Sequence, residues 1–222
     1  MANSKDTIKF ILNDLTSVHE NLLALSEDIW NSIDHNDNQK LEEGCLFKKQ
    51  FNALLDIFEH NAEEISALIS QFTGIREEPP SGIKAPSENK RIIAELDKSE
   101  PHSLNENFTY KRPYAFVLEE HAYTELMTWK DLYIQVCRHL IAKDKNRFDS
   151  LADNADFIST QNRKYYSADK SACRTPYKIT DKTFIEVNLS ANHFVKLIKE
   201  LFEYFKIDAE SMKLYLRQDR NA

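Results

Sequence analysis

The residues best suited to binding chemistry lie in one stretch, 161–178, which mixes cations with tyrosines. It holds five Lys or Arg residues and a single acid, Asp169. Cations neutralise phosphates, and tyrosine rings stack on exposed bases or sugars, so the stretch predicts a surface for nucleic acid or another polyanion. The residues of this predicted surface are Arg163, Lys164, Tyr165, Tyr166, Lys170, Arg174 and Lys178. The alternative interpretation is a solvated loop that contacts an acidic part of the same chain.

A second pattern pairs the carboxylates of Asp181 and Glu186 in the segment that ends Glu186-Val187-Asn188. It resembles the Asp…Glu-x-Lys arrangement of metal-dependent nucleases, in which carboxylates hold Mg²⁺ and a lysine assists the attack. Asn188 stands where that arrangement has lysine, and Glu186 also fits the outward position of a strand. A metal-dependent nuclease is therefore retained as an alternative function, with no metal ligands assigned.

Other catalytic signatures are missing from the sequence. It contains no GxGxxG, GxxxxGK[ST], HExxH or GxSxG, and three glycines leave little material for a loop that cradles phosphates. The three cysteines lack the close paired spacing of a zinc site and are typical of reduced thiols in the cytoplasm. We therefore predict no cofactor, no metal site and no catalytic residue, and favour a protein without enzymatic activity.

The elements that carry these residues begin with two long amphipathic helices. Apolar residues recur at alternating spacings of three and four, which predicts one stripe on each helix. The first stripe is Ile8, Ile11, Leu15, Val18, Leu22, Leu25 and Ile29. The second is Phe47, Phe51, Leu54, Phe58, Asn61, Ile65, Leu68 and Phe72. Residues 34–38 favour a turn between them, and Gly44 favours a short extra turn, so we predict an antiparallel helical hairpin over residues 1–73.

The predicted hairpin has more apolar surface than its two helices cover. The residues beside the stripes are Phe10, Leu12, Leu23, Trp30, Ile33 and Leu55. They require a second surface, and we favour the hairpin of another copy, giving a homodimer through residues 8–72 with a four-helix interface. One intramolecular bundle is the alternative. Asn61, the polar member of its stripe, fits either an exposed position or a buried asparagine that fixes register.

A segment with several glycines and prolines follows the hairpin. Two glycines and three prolines between residues 74 and 86 end the helix, and we predict a linker over 74–107 with a short helix at 88–98. Residues 108–222 then alternate strand and helix patterns in the order β-β-α-(α)-β-β-α-β, and Thr128 with Asp131 predicts a capping box. The predicted class is α+β, an antiparallel sheet with helices on one face.

Charge is divided unevenly along the chain, whose formal net charge is −7. Residues 1–75 carry 5 Lys or Arg and 13 Asp or Glu, a net charge of −8, whereas residues 108–222 carry 19 and 16, a net charge of +3. The division indicates two units with different surfaces, or two units that attract one another. No window approaches the roughly 18 apolar residues of a membrane span, and no signal peptide is evident, so we expect a cytoplasmic protein without membrane contact.

Residues 108–218 carry a resemblance to a known module. It rests on Trp129-Lys-Asp-Leu132, Val136-Cys137, Phe148, Arg163-Lys164-Tyr165 and Asn188-Leu-Ser-Ala-Asn192. These segments resemble a C-terminal module of uncharacterised bacterial proteins, some of restriction or phage-defence type. The resemblance implies a context related to nucleic acid, and it assigns no activity or site residue.

Together these patterns predict a bacterial, cytoplasmic accessory protein without enzymatic activity. It would self-associate through its helical hairpin and bind nucleic acid or another polyanion through its C-terminal domain. The alternatives are a metal-dependent nuclease and a purely structural adaptor between proteins.

Overall fold

A computed structural model describes residues 2–75, 86–158 and 164–217. The α-helices are α1 (Ala2–Asn31), α2 (Asn38–Thr73), α3 (Pro86–Leu96), α4 (Trp129–Lys143), α5 (Lys145–Asp149) and α6 (Ala191–Phe205). The strands are β1 (Pro113–Leu118), β2 (His121–Tyr123), β3 (Tyr166–Ser167), β4 (Pro176–Lys178), β5 (Phe184–Glu186) and β6 (Met212–Leu216). Long helices followed by antiparallel sheet and helices confirm the predicted α+β class.

Helices α1 and α2 form the predicted antiparallel hairpin. The Asp37 carboxylate caps α2 by accepting hydrogen bonds from the backbone N–H groups of Gln39 and Lys40. The prediction that Gly44 closes a separate turn is wrong, because this residue lies buried within α2. A Cβ atom at Gly44 would collide with the side chain of Ile33, so the missing side chain lets the connection pack closely against α2.

The two helices meet through residues beside the predicted stripes and through some members of the stripes, such as Phe58. Leu12 and Leu55 are only 1% and 3% exposed, and the ring of His19 stacks on Phe58 with 6.3 Å between centroids. By contrast, many members of the predicted stripes are exposed. The prediction that those stripes form the seam between the helices is therefore wrong for their exposed members, while the helices themselves are confirmed.

The strands form two antiparallel three-stranded sheets, in the orders β2-β1-β6 and β3-β5-β4. In the first sheet Phe116 pairs with Leu214 and Leu118 with His121. Glu119 and Glu120 both have positive φ, 46° and 66°, as a two-residue type I′ hairpin turn requires, so β2 begins directly after them at His121. Strand β3 is too short for a period-two pattern and was not predicted.

The main core lies between these sheets and the helices α4 and α6. Its largest fully buried side chains include Trp129, Tyr133 and Phe194. Thr128 caps α4, and the predicted capping box with Asp131 is confirmed. On the opposite face of the β2-β1-β6 sheet, Leu96 of α3 packs on a smaller cluster of Ala115, Val117, Ala122 and Tyr215.

Much of the predicted linker packs on the C-terminal part of the chain. The Asn89 side chain accepts a hydrogen bond of 3.1 Å from the backbone N–H of Ala122, and Leu104 lies in the main core with Phe108. His102 pairs with Leu214 of β6 through two backbone hydrogen bonds. Residues 86–107 thus share the core of the C-terminal unit, by which we mean residues 86–217 as described. Residues 76–85 lie outside the described part.

Candidate functional site

The structure divides the tyrosines of the predicted polyanion surface between core and surface. Tyr166 lies in β3 and is 1% exposed, and its hydroxyl accepts a hydrogen bond of 2.6 Å from Tyr133. The prediction that Tyr166 stacks on a nucleic-acid base is therefore wrong. Tyr165 is half-buried and its hydroxyl shares a hydrogen bond of 2.7 Å with Nε2 of His193. Arg163 lies outside the described residues.

The cations of this surface take different roles. Lys170 and Lys178 are exposed, and Lys164 is half-buried. Arg174 forms an ion pair with Asp56 of α2. Its neighbour Thr175 donates a hydrogen bond of 2.8 Å to Glu59, also on α2. Arg174 and Thr175 thus fit the alternative interpretation, in which this loop contacts the acidic hairpin.

Glu186 holds a loop in place. Its buried carboxylate accepts backbone hydrogen bonds from Arg174, Thr175 and Asn188, the last at 2.8 Å. Asp181 is exposed in the turn between β4 and β5. Within residues 2–75, 86–158 and 164–217, no group of three or more His, Cys, Asp or Glu is placed to hold a metal ion. The geometry of Glu186 therefore favours an anchor for residues 174–175 over a metal ligand.

Carboxylates of the hairpin face the C-terminal unit. They are Asp14, Glu20, Glu27, Asp28, Asp56 and Glu59. Residues 1–75 hold 13 acids and 5 lysines, so removing these six leaves seven acids against five lysines, a net charge of −2. Their partners include Arg112, Tyr110, Arg174 and backbone N–H groups of α4. Six of the acids that make residues 1–75 negative thus contact the C-terminal unit, two of them through ion pairs with Arg112 and Arg174.

Glu20 makes the most buried of these contacts. Its carboxylate accepts hydrogen bonds from the backbone N–H groups of Trp129 at 3.2 Å and Lys130 at 2.9 Å, in the first turn of α4. Helix N-termini favour such acceptors. Burial raises the pKa of Glu20 to about 8, and the two backbone hydrogen bonds oppose that rise. Glu20 therefore couples hairpin docking to a proton.

A polar cleft of about 210 Å³ lies at this junction. Its lining includes His19, Glu20, Glu59, Glu63, Ser66 and Lys130. Burial, followed by the charges of Arg174 and Lys130, lowers the pKa of His19 to about 4, and burial raises the pKa of Glu59. Glu20 and Glu59 already accept hydrogen bonds from the C-terminal unit. The cleft is therefore part of the contact between the hairpin and that unit.

The hairpin carries a set of exposed apolar side chains that we call the outer face. Its members are Ile11, Val18, Leu25, Leu54, Ile57, Ile65, Leu68 and Phe72, which are 37–91% exposed. At roughly 100° per residue, the α1 members lie about 140–180° from Glu20, and the α2 members about 120–180° from Glu59. Since both glutamates contact the C-terminal unit, the outer face points away from it.

Comparison with protein-family models, with curated proteins and with solved structures found no match to this chain. The resemblance of residues 108–218 to a bacterial module therefore stays a prediction. Among the residues that the structure describes, no helix combines the length and the apolar character needed to cross a membrane.

The inward-facing carboxylates are contact residues that the sequence patterns did not predict. Glu20 and Glu27 are seven residues apart, with the small residues Ser17 and Ala24 on the same side of α1. Small side chains and acids on the side opposite an apolar stripe indicate a second contact surface. The apolar stripes drew attention to the other side of each helix.

Proposed function

We propose that the protein is a non-enzymatic interaction protein that self-associates through the outer face of its hairpin. One observation carries the proposal: eight large apolar side chains are exposed together on the side of the hairpin turned away from the C-terminal unit. Contiguous exposed apolar patches of this kind mark interaction sites in soluble proteins. The docked C-terminal unit occupies the opposite side and leaves this patch uncovered.

A second copy of the chain fits this face in spacing and in size. Its α1 members recur every seven residues, and its α2 members together with Asn61 are spaced by three and four, as in helices that pack in bundles at shallow angles. If each of the eight side chains buries on the order of 100 Å², each copy loses about 800 Å², as in a standard stable interface. The hairpin's remaining charge, −2 once the six inward acids are set aside, opposes such pairing only weakly.

Substitutions on the outer face test the proposal. The double variant Leu54→Glu with Leu68→Glu places two charges among the exposed apolar side chains without touching the core. We expect light scattering to report a dimer for the wild-type chain and a monomer for the variant, with unchanged circular dichroism. The matched control is Tyr114→Glu, a similarly exposed side chain on β1. A variant that remains dimeric would contradict the role of the outer face.

We also propose a binding site for nucleic acid or another polyanion. Its residues are now the two exposed lysines of the predicted surface, Lys170 and Lys178. The exposure of both side chains supports it, because exposed lysines neutralise phosphates. We expect Lys170→Glu with Lys178→Glu to weaken binding of labelled single-stranded DNA or RNA and to flatten its salt dependence. Lys40→Glu with Lys49→Glu makes the same charge change on the hairpin. Equal loss in both variants would contradict a site at residues 170–178.

A further inference from the structure

Residues 54–68, the middle of the exposed row of α2, form a palindrome centred on Asn61, and Phe72 of the outer face lies beyond it. Read outward from Asn61, Ile57 and Ile65 lie four residues away on either side, and Leu54 and Leu68 lie seven residues away. The exposed fractions follow the same symmetry, at 55% and 48% for the isoleucines and 65% and 67% for the leucines. Residue type, spacing and exposure are thus nearly the same in both directions along the helix.

A helix whose exposed row reads the same in both directions is suited to a twofold interface with itself. In such an interface residue i contacts residue j, and j contacts i. We propose that two copies pair antiparallel through α2, with the twofold axis passing beside Asn61. Leu54 of one copy then meets Leu68 of the other, Ile57 meets Ile65, and Asn61 meets its own equivalent. The inference rests on the proposed self-association and adds its symmetry and register.

Asn61 supplies the register in this arrangement. An amide carries both donors and an acceptor, so two facing asparagines satisfy one another across the axis. Sliding one helix by seven residues would place Asn61 against Leu54 or Leu68 and leave its amide unpaired in an apolar interface, which is costly. A single asparagine among apolar positions fixes helix register in this way, at some cost in stability.

The outer face of α1 completes the interface. Ile11, Val18 and Leu25 recur every seven residues on the same side of the hairpin as the palindrome. A twofold axis through the middle of α2 brings the α1 helices of both copies to the edges of the contact. Four helices then enclose the apolar rows, as a stable bundle requires.

Cysteine cross-linking tests the register in the full chain. In a Cys45→Ser background, which removes the one half-buried native thiol, Asn61→Cys places two thiols at the axis. We expect it to give a reducible dimer on mild oxidation or with a short bismaleimide. Leu54→Cys alone is the matched control, because its two copies would lie about 21 Å apart along antiparallel helices. Mixing Leu54→Cys with Leu68→Cys should restore the cross-link between unlike chains.

The outcomes separate this inference from the proposed function. A wild-type dimer in which Leu54→Cys cross-links with itself, and mixed Leu54→Cys and Leu68→Cys chains do not cross-link although both keep Asn61, would overturn the register while self-association stands. A wild-type chain that is monomeric would overturn the proposed function first. Because Leu54 and Asn61 are both exposed, neither substitution disturbs the folded chain that carries it.

Discussion

Glu20 joins the hairpin to the first turn of α4 through a carboxyl group that is almost fully buried. In the unfolded chain this group has an ordinary pKa near 4.5, and in the folded chain the pKa is about 8. Between these values the folded state binds a proton that the unfolded state has released. The contribution of Glu20 to stability therefore falls as pH rises from about 4.5 to 8.

The variant Glu20→Gln tests this coupling, because an amide keeps an acceptor for one backbone N–H group and cannot ionise. We expect the stability of the variant relative to wild type to increase from pH 5 to pH 8.5, by up to about 1.4 kcal/mol per pH unit. Urea unfolding at both values measures it. A constant difference between the two proteins would contradict a protonated Glu20.

His19, the neighbour of Glu20 in α1, makes the stability of the protein depend on pH in the opposite direction. Its folded pKa of about 4 lies below the ordinary value of 6.5, so the unfolded chain binds the extra proton. Stability is therefore lost as pH falls from 6.5 towards 4. We expect His19→Gln to lose less stability than wild type over this interval, as measured by thermal unfolding. A parallel loss in both proteins would show that other groups dominate the acid limb.

At the scale of elements, α4 connects the hairpin to the core. Its N-terminus is capped from within by Thr128 and Asp131, and from the hairpin by Glu20. We expect Thr128→Ala to destabilise the protein by about 1 kcal/mol, a typical value for loss of a capping side chain. Chemical denaturation measures the change. The control is Ser99→Ala, at an exposed serine outside the helices, which should change stability by no more than about 0.5 kcal/mol.

The elements were largely predictable from the sequence, and their rotation was not. The three-and-four periodicity predicts that α1 and α2 are helices, and it shows which residues lie in the same row along each helix. It does not decide which of two adjacent apolar rows turns inward, because Leu12 and Ile11 differ by a rotation of only about 100°. The choice follows from the partner, since Glu20 and Glu59 must reach the C-terminal unit.

The predicted polyanion surface was likewise only partly predictable from the sequence. A basic, tyrosine-containing stretch is visible in the sequence, but the alternation that buries Tyr166 depends on its pairing with Ile185 in a two-residue strand. Arg174 is directed to Asp56 by the docked hairpin, a contact more than 100 residues apart in the chain. Such long-range pairings are set by tertiary packing and leave no local pattern.

At the scale of the whole molecule, two ion pairs, Asp14 with Arg112 and Asp56 with Arg174, join the hairpin to the C-terminal unit. The ion pair between Arg174 and Asp56 is partly exposed, so we expect Arg174→Asp to cost no more than about 1 kcal/mol. The double variant Arg174→Asp with Asp56→Arg should recover part of that loss. A double-mutant cycle measures the coupling. Additive losses would indicate that the pair contributes nothing to docking.

The docked arrangement leaves the outer face of the hairpin apolar and exposed, and we propose that the protein self-associates through this face. Sedimentation equilibrium of the full chain tests it most directly. Because one chain has a mass of 25.9 kDa, we predict a species of twice that mass that dissociates on dilution. A single species of 25.9 kDa at every concentration up to about 100 μM would contradict self-association through the outer face.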